Sequence, residues 1–353
     1  MPSVSVIVPV RNEAASIEHT LRSLLTQDFP REQFEVIIAD GVSTDATVPI
    51  VRRLQAEFAN LKLVFNPGRF SSAGRNTALR HASKDVALVV DGHCHVPDRS
   101  YLRNVSDAFA QSAADSLGRP QPLDAANPTP FQQAVSAARQ SRLGHNPESD
   151  IFSGEAKFVP PQSTAVAYTH KVFRTVGLFD QSFDACEDVE FNHRVHEAGL
   201  TCYFTPAVKV VYHPRSSLPA LFFQLARYGM GRARLAFKHP NSLSLPALVP
   251  PLWVLWLVLG GLLSLFVPYL GWAWAASVVL YLAVIAGAAV VLGRGQSRGV
   301  RQRIPLVFLG IHFGFAWGFL KEVARQVRYS RRAHTACRDA PGTRCVPNTT
   351  GVS

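Results

Sequence analysis

Val86-Ala-Leu-Val-Val-Asp-Gly-His93 is a short apolar run that ends in a carboxylate and, two residues later, an imidazole. An apolar run of this length predicts a strand buried on both faces, here Val86–Val90. Upstream lie three similar runs, Val4–Val10, Phe34–Ala39 and Leu61–Phe65. Between them the apolar spacing turns helical. Ala15–Leu25 places Ile17, Leu21, Leu24 and Leu25 on one face, and Thr47–Phe58 and Ser72–His81 follow the same period. Strands alternating with helices predict an α/β fold with a doubly wound, largely parallel sheet. Ligands of such sheets bind beyond the carboxyl ends of the strands.

Three of those ends are polar: Arg11-Asn12-Glu13, Asp40-Gly41 followed by Ser43-Thr44-Asp45, and Asp91-Gly92-His93. No Gly-x-Gly-x-x-Gly follows the first strand and no Gly-Lys-Ser/Thr loop occurs, which argues against a dinucleotide fold and a P-loop NTPase. A nucleotide would then be held by side chains, Asp40 on the base or ribose and Arg75 on the base edge. The Asp91 carboxylate and the His93 imidazole suit a divalent cation, Mn²⁺ or Mg²⁺, held against a diphosphate.

The formal charge of +11 is unevenly spread over the 353 residues. Residues 1–197 carry 19 Lys/Arg and 23 Asp/Glu, whereas residues 198–353 carry 17 and 2. A basic half can bind nucleic acid or anionic lipid. Its apolar runs favour lipid, and no nucleic-acid partner is expected. From His239 to Gly293 there is no Asp, Glu, Lys or Arg. Two membrane helices fit there, Leu245–Tyr269 and Trp272–Leu292, turning at Pro268-Tyr-Leu-Gly271. Arginines flank both ends of the pair, which predicts cytoplasmic ends. The third stretch, Ile304–Leu320, is followed by Lys321, Arg325 and Arg328. Spanning would carry that basic segment outward, so a re-entrant, an interfacial and a spanning reading all stay open.

Met1-Pro-Ser-Val-Ser-Val-Ile-Val-Pro9 lacks a basic n-region, so no signal peptide is expected. Five cysteines without metal-pair spacing suit free thiols in a reducing compartment. The expected organisation is a catalytic domain over 1–240, a membrane region over 241–330 and a basic, disordered tail over 331–353. Within the first, residues 111–150 read as an irregular insertion with a helical stretch Phe131–Leu143. It is either a segment covering a ligand or a plain surface loop.

Asp180, Asp184, Glu187, Asp188 and Glu190 crowd into eleven residues. From Glu187 to Ala198 the spacing predicts a helix, with Val189, Phe191 and Val195 apolar and Gly199 ending it. Glu187 and Asp188 at its N-terminus either complement the helix dipole or do chemistry. A hydroxyl attacking an anomeric carbon must lose its proton to a positioned base. Asp188 is the candidate base, and Glu187 would orient it or touch the acceptor. Gln224, Arg227 and Tyr228 share a helix face just before the membrane segment. Arg227 and Arg232 suit either a diphosphate or anionic lipid.

These pieces, in this order, resemble the family 2 glycosyltransferases of the GT-A fold over about residues 3–240. They are Val4–Glu13, Glu35–Gly41 with Ser43–Thr47, Gly74-Arg75-Asn76, Val89–His93, Val176–Asp180 and Glu187–Glu190. Arg227-Tyr-Gly-Met-Gly-Arg232 and the C-terminal helices look like the succinoglycan-type, membrane-anchored glucosyltransferases. The resemblance implies a UDP- or GDP-sugar donor, a divalent cation and inversion by direct displacement. It places Pro9, Arg11, Glu13, Asp40, Arg75 and Asp91 on the nucleotide-sugar, and Asp91 with His93 on the metal. Asp188 and Glu187 fall at the acceptor, and Gln224, Arg227 and Arg232 fall on acceptor or diphosphate. Two departures stand out. His93 replaces a second Asp of the family, and Gly41-Val42 stands where many members read Asp-Gly.

The function implied is transfer of a hexose to a lipid-linked saccharide for exopolysaccharide or envelope glycan, at the cytoplasmic face of the inner membrane. A polyprenyl-phosphate monosaccharide synthase and a non-catalytic nucleotide-sugar-binding subunit are the rivals.

Overall fold

In the computed structural model the chain divides into two compact units, Met1–Pro214 and Arg215 onward. The backbone of residues 1–338 is described, apart from 126 and 146–148.

In the first unit, Val4–Val10 (β1), Ile17–Leu25 (α1), Phe34–Asp40 (β2), Thr47–Glu57 (α2), Leu61–Phe65 (β3), Ser71–Leu79 (α3) and Val86–Val89 (β4) alternate as the periodicity predicts. Then come Cys94–His95 (β5), Tyr101–Ser112 (α4), Ser116–Gly118 (β6), Pro130–Arg139 (α5), Lys157–Phe158 (β7), Ala165–Thr169 (β8) and His170–Val176 (α6). Glu187–Glu197 (α7), Cys202–Phe204 (β9) and Val211–Tyr212 (β10) complete the unit.

The main sheet runs β3-β2-β1-β4-β8-β6-β9-β7. Its first four strands are parallel, and β8 is antiparallel to both β4 and β6. A mixed, doubly wound sheet results, with apolar clusters on both faces. Val6, Val8, Leu21, Val36 and Leu88 belong to one. Ile7, Ile37, Val89, Tyr168 and Phe191 belong to the other. β5 and β10 form a separate antiparallel pair.

One expectation needs correction. Residues 111–150 are not simply an irregular insertion, because Ser116–Gly118 is an interior strand between β8 and β9. All three residues are buried, so they carry no alternation for a sequence to display. Gly118 is required there, since a Cβ would meet Thr164 Oγ1 at 2.1 Å.

The second unit comprises Leu218–Lys238 (α8), Leu245–Ser264 (α9), Pro268–Leu292 (α10) and Arg298–Arg338 (α11). The domain limit expected at 240 falls instead at Pro214/Arg215, because α8 packs along α11. Three contacts set that packing. A Cβ on Gly310, Gly314 or Gly318 would strike Leu218, Phe222 or Ala226 respectively. Small residues at a four-residue interval let two helix backbones approach closely. The apolar turn expected at 268–271 is the first turn of α10, and 265–267 connects the pair. α9, α10 and Arg298–Ser330 of α11 are each long and apolar enough to cross a membrane. The tail expected to be disordered from 331 is helical as far as Arg338, and 339–353 lie outside the described residues.

Candidate active site

The rim is built by the ends of β1, β2 and β4. After β1 the backbone turns through Asn12 at φ 56°, and the Ser43–Thr47 segment is stitched onto it. Asn12 N donates to Ser43 Oγ (2.9 Å) and Thr44 N donates to Asn12 Oδ1 (2.8 Å). Glu13 N donates to Thr47 Oγ1 (2.8 Å), and Ala14 N to Asp45 Oδ2 (3.0 Å). The Ser-Thr-Asp-Ala-Thr stretch is therefore a clasp that fixes two strand ends. Asp40 is buried at the rim. Its Oδ2 accepts from Ser43 N (3.1 Å). Its Oδ1 is buried with no hydrogen-bond partner among the described residues, an arrangement that favours occupation by a donor. Arg11 is exposed and Pro9 is half-buried. Pro9 lies against Gly74, where a Cβ would come within 3.0 Å.

Gly74-Arg75-Asn76 on α3 ties the rim to the second acidic cluster. Asn76 clamps the backbone of Phe179, donating to its carbonyl (2.8 Å) and accepting from its N–H (2.9 Å). Ser72 donates to Phe183 O at 2.9 Å. The segment leading to α7 is thus held on α3. Arg75 is buried, lies over the Phe179 ring at 5.2 Å, and reaches two carboxylates. Its Nη2 is 3.2 Å from Glu187 Oε1 and 3.7 Å from Asp91 Oδ1. Arg75, expected on the base edge, points here to Glu187 and Asp91. It is an internal tie between carboxylates.

Asp91 therefore has two supports. Arg75 stands by Oδ1, and the Tyr212 hydroxyl donates to Oδ2 at 2.8 Å. Burial would push the Asp91 carboxyl up, but Arg75, then His93 and the Tyr212 hydroxyl, outweigh it and hold it below the usual carboxylate range. His93 is 3.1 Å from Glu13 Oε1 through Nδ1 and meets the edge of the Tyr212 ring. Glu13 also accepts from Ser16 (3.0 Å), so it serves His93 and the α1 terminus.

α7 begins at Cys186, which takes a left-handed conformation (φ 60°). Of its acids, Glu190 is fully buried and paired with Arg194 at 2.9 Å, a structural link. Glu187 is buried against Arg75. Of the three acids in its first turn, Asp188 is the one open to solvent, with Oδ1 accepting from Val189 N at 2.9 Å. Partial desolvation first, and the Glu187 charge second, push its carboxyl above the usual range against the pull of Arg75. Its open side retains hydration, which limits that push. A carboxylate of raised pKa open to solvent beside a buried ion-pair array has the attributes of a general base.

Two neighbours escaped the sequence. Tyr212 reaches Asp91 from β10, 121 residues away. Burial first, then the Asp91 charge, raise its phenol well above 10. Arg119, 1% exposed, donates to Tyr101 OH and to Val89 O (3.2 Å) and adds positive potential at Asp91. A lone Tyr or Arg far away in sequence gives no motif. Gln224, Arg227 and Arg232 belong to the second unit, on α8, where Gln224 donates to the Tyr228 hydroxyl at 3.3 Å. Among the described residues no group of three His, Cys, Asp or Glu side chains is arranged to hold a metal.

A mixed α/β sheet with acids at its carboxyl rim and a carboxylate-led helix beside it is a core of the GT-A type, with apolar C-terminal helices appended. The profile of "Glycosyl transferase family 2" matches residues 5–155. The chain is 31% identical over 320 residues to the succinoglycan biosynthesis protein ExoA of Rhizobium meliloti (strain 1021), covering 90% of this chain and 94% of that protein. It is 26% identical over 248 residues to a dolichyl N-acetyl-glucosaminyl phosphate diacetamido-dideoxy-glucuronosyltransferase of Methanococcus voltae, covering 67% and 75%. Among solved structures, the mannosyltransferase PcManGT of Pyrobaculum calidifontis, in complex with GDP-Man and Mn²⁺, matches with a TM-score of 0.57 at 22% identity. That match covers 91% of this chain and 87% of that one. The chain belongs to glycosyl transferase family 2. It is a glycosyltransferase acting in polysaccharide or glycan synthesis.

Proposed function

We propose that this chain moves a hexose, with inversion, from a UDP- or GDP-sugar to a lipid-linked saccharide at the cytoplasmic face of an inner membrane. The carrying observation is the division of labour among three carboxylates. Asp91 and Glu187 are tied to Arg75, while Asp188 is open and has a raised pKa. Asp188 takes the proton of the acceptor hydroxyl as it attacks the anomeric carbon. Glu187, paired with Arg75, positions the start of α7, and its charge adds to the burial that makes Asp188 more basic.

The orphan Asp40 Oδ1 accepts from a base N–H or a ribose hydroxyl. Asp91 Oδ1, 3.7 Å from Arg75 and so not hydrogen-bonded to it, fits a hard cation, with His93 as a second donor. Two protein donors suffice where phosphates and water complete the shell, as is usual for Mg²⁺-like ions. Such an ion would offset the charge gathering on the departing diphosphate. Tyr212, Arg75 and Arg119 keep Asp91 ionised for that role. The lipid-linked acceptor rests on the relatedness to a transferase named for a dolichyl-phosphate saccharide, and the membrane location on the apolar helices.

The test is a donor screen by UDP or GDP release, with and without Mn²⁺, using membranes and a lipid extract. Release of nucleotide that needs both lipid extract and metal supports the reading. Binding of nucleotide-sugar without transfer or hydrolysis under any metal overturns it.

A further inference from the structure

We propose that only α9 and α10 cross the membrane. In this view α8 and α11 lie together along the membrane surface on the side from which α9 starts, against anionic lipid headgroups. The argument starts from the direction of packing. Gly310 faces Leu218, Gly314 faces Phe222 and Gly318 faces Ala226, so each four-residue step along α11 matches a four-residue step along α8. The two helices are therefore parallel. Arg234 of α8 and Glu322 of α11, 3.2 Å apart, extend the match.

That direction excludes α8 as a span. If α8, α9, α10 and α11 all crossed in succession, their directions would alternate, and the first and fourth would be antiparallel. With α8 confined to one side, its two ends, joined to the first unit and to the start of α9, stay on that side. α8 is about 31 Å long at 1.5 Å per residue, so it lies along the surface. α11 follows α10 on that same side once the α9–α10 hairpin has crossed and returned. Its segment 314–322, packed along α8, lies at the surface with it, while His312 reaches the Tyr281 hydroxyl of α10 (3.0 Å), so the start of the pair sinks toward the acyl boundary as an interfacial helix does.

Burial and chemistry agree. Only 11% of α9 and of α10 is buried by protein, as helices facing lipid would be, against 50% of α11. Glu322 is 1% exposed, with Arg234, Arg325 (3.2 Å) and Gln326 (2.8 Å) around it. Phe223 and Trp317 are 66% and 61% exposed. Aromatics beside Arg227, Arg232, Lys321, Arg325 and Arg328 compose the surface that an interfacial helix turns to anionic lipid. The arrangement keeps the basic end of α11 on the side of Arg298, Arg301 and Arg303, as the positive-inside bias requires.

The assignment rests on the membrane location proposed above but not on activity. Cys186, Cys337 and Cys345 are replaced by Ser, and the buried Cys94 and Cys202 are kept. Arg80→Cys, Val267→Cys, Gln302→Cys and Tyr329→Cys are then made singly. Each is labelled with a membrane-impermeant maleimide in intact cells and in inside-out vesicles. The expected result is that Val267→Cys labels only from outside and the other three only from inside. Labelling of Tyr329→Cys from the side of Val267→Cys overturns the proposal, as does labelling of Val267→Cys from the side of Gln302→Cys. An outside Arg80→Cys with Gln302→Cys and Tyr329→Cys on its own side refutes the cytoplasmic location while the two-span topology stands. Reporter fusions at the C-terminus of the unaltered chain repeat the measurement without cysteine changes. A fluorescent protein should light and a phosphatase should stay silent, and the reverse pattern, with Arg80→Cys labelled from inside, overturns the topology.

Discussion

Replacing Asp188 by Asn tests the central assignment because it separates turnover, donor binding and stability. The side chains are nearly isosteric, and the amide oxygen can still accept from Val189 N, as Asp188 Oδ1 does at 2.9 Å. The Arg75–Glu187 and Arg75–Asp91 pairs do not involve this side chain, so the donor pocket should survive. What is lost is the proton acceptor. General-base catalysis contributes about 10²–10⁴-fold, or about 3–5 kcal/mol of barrier. The expected kcat in nucleotide release is therefore down by at least about 10²-fold, with the donor Kd from calorimetry within about 3-fold, which is under 1 kcal/mol.

Stability should move the other way. The folded Asp188 carboxyl titrates above its ordinary value of 3.8, so between those two pKa values the folded state binds more protons than the unfolded state. Stability falls as pH rises through that window, and the full penalty is present at neutral pH. Asp188→Asn removes that penalty and should raise the melting temperature slightly at pH 7, with the gain vanishing below pH 3.8. Wild-type turnover should show an acid limb above the range of an ordinary aspartate, and the variant's residual rate should lack it. A variant with near-wild-type kcat, or one whose donor affinity falls in step with kcat, would refute the base assignment.

Tyr212→Phe removes a hydrogen bond to a charged carboxylate, worth about 1.5–3 kcal/mol, so the Mn²⁺ concentration for half-maximal activity should rise about tenfold or more. Because the lost hydroxyl helps hold Asp91 low, that variant should lose activity at higher pH than wild type on acidification, and an unchanged metal titration would count against the Asp91 role. His93→Asp places a carboxylate beside Glu13, so activity should stay metal-dependent and become weaker, and loss of all activity at saturating metal would argue against simple ligation. Val42 sits at φ 62°, which costs a β-branched residue about 1–2 kcal/mol, so Val42→Gly should raise the melting temperature, and a fall would show that the side chain is needed. In Gly318→Leu the new side chain would collide with Ala226 O, 1.9 Å from the added Cβ, and should part α8 from α11, seen as faster proteolysis between 215 and 240 with nucleotide binding by the first unit unchanged.

What a sequence displays depends on how local the cause is. β1 to β4 are each an apolar run flanked by an amphipathic helix, and their limits fall within a residue or two of the predicted ones. Asp40, Asp91 and Asp188 stood out as candidates because each lies at or within two residues of the end or start of an element, a position that periodicity marks. β6 was not, because three buried residues have no period, and its place in the sheet depends on partners at 165–168 and 202–204. Arg75 stood out in the sequence, but its pairing with Glu187 and Asp91 did not. The sequence marks a polar residue near the rim, whereas the clamp of Asn76 on Phe179 decides which way α3 presents it. The readings left open for Ile304–Leu320 could not be told apart locally, because Gly310, Gly314 and Gly318 mark a surface only once α8 lies against them.

The charges around Arg75 argue for the order in which the site fills. Asp91, Glu187 and Asp188 face one buried guanidinium, and Arg119, held by Tyr101 and Val89, is the weakest of the positive influences on Asp91. Two carboxylates in reach of one cation leave a surplus of negative charge even before Asp188 ionises. A nucleotide diphosphate adds more, so anionic donor and anionic rim repel unless a divalent cation enters with the donor. Burial first, and then the Glu187 and Asp91 charges of that surplus, raise Asp188. A cation bound at Asp91 would therefore lower the Asp188 pKa as it recruits the donor, making donor binding and base ionisation mutually favourable. The acid limb of turnover should then move to lower pH as Mn²⁺ is raised. A limb that stays put across the metal titration would mean that Asp91 and Asp188 do not share one field.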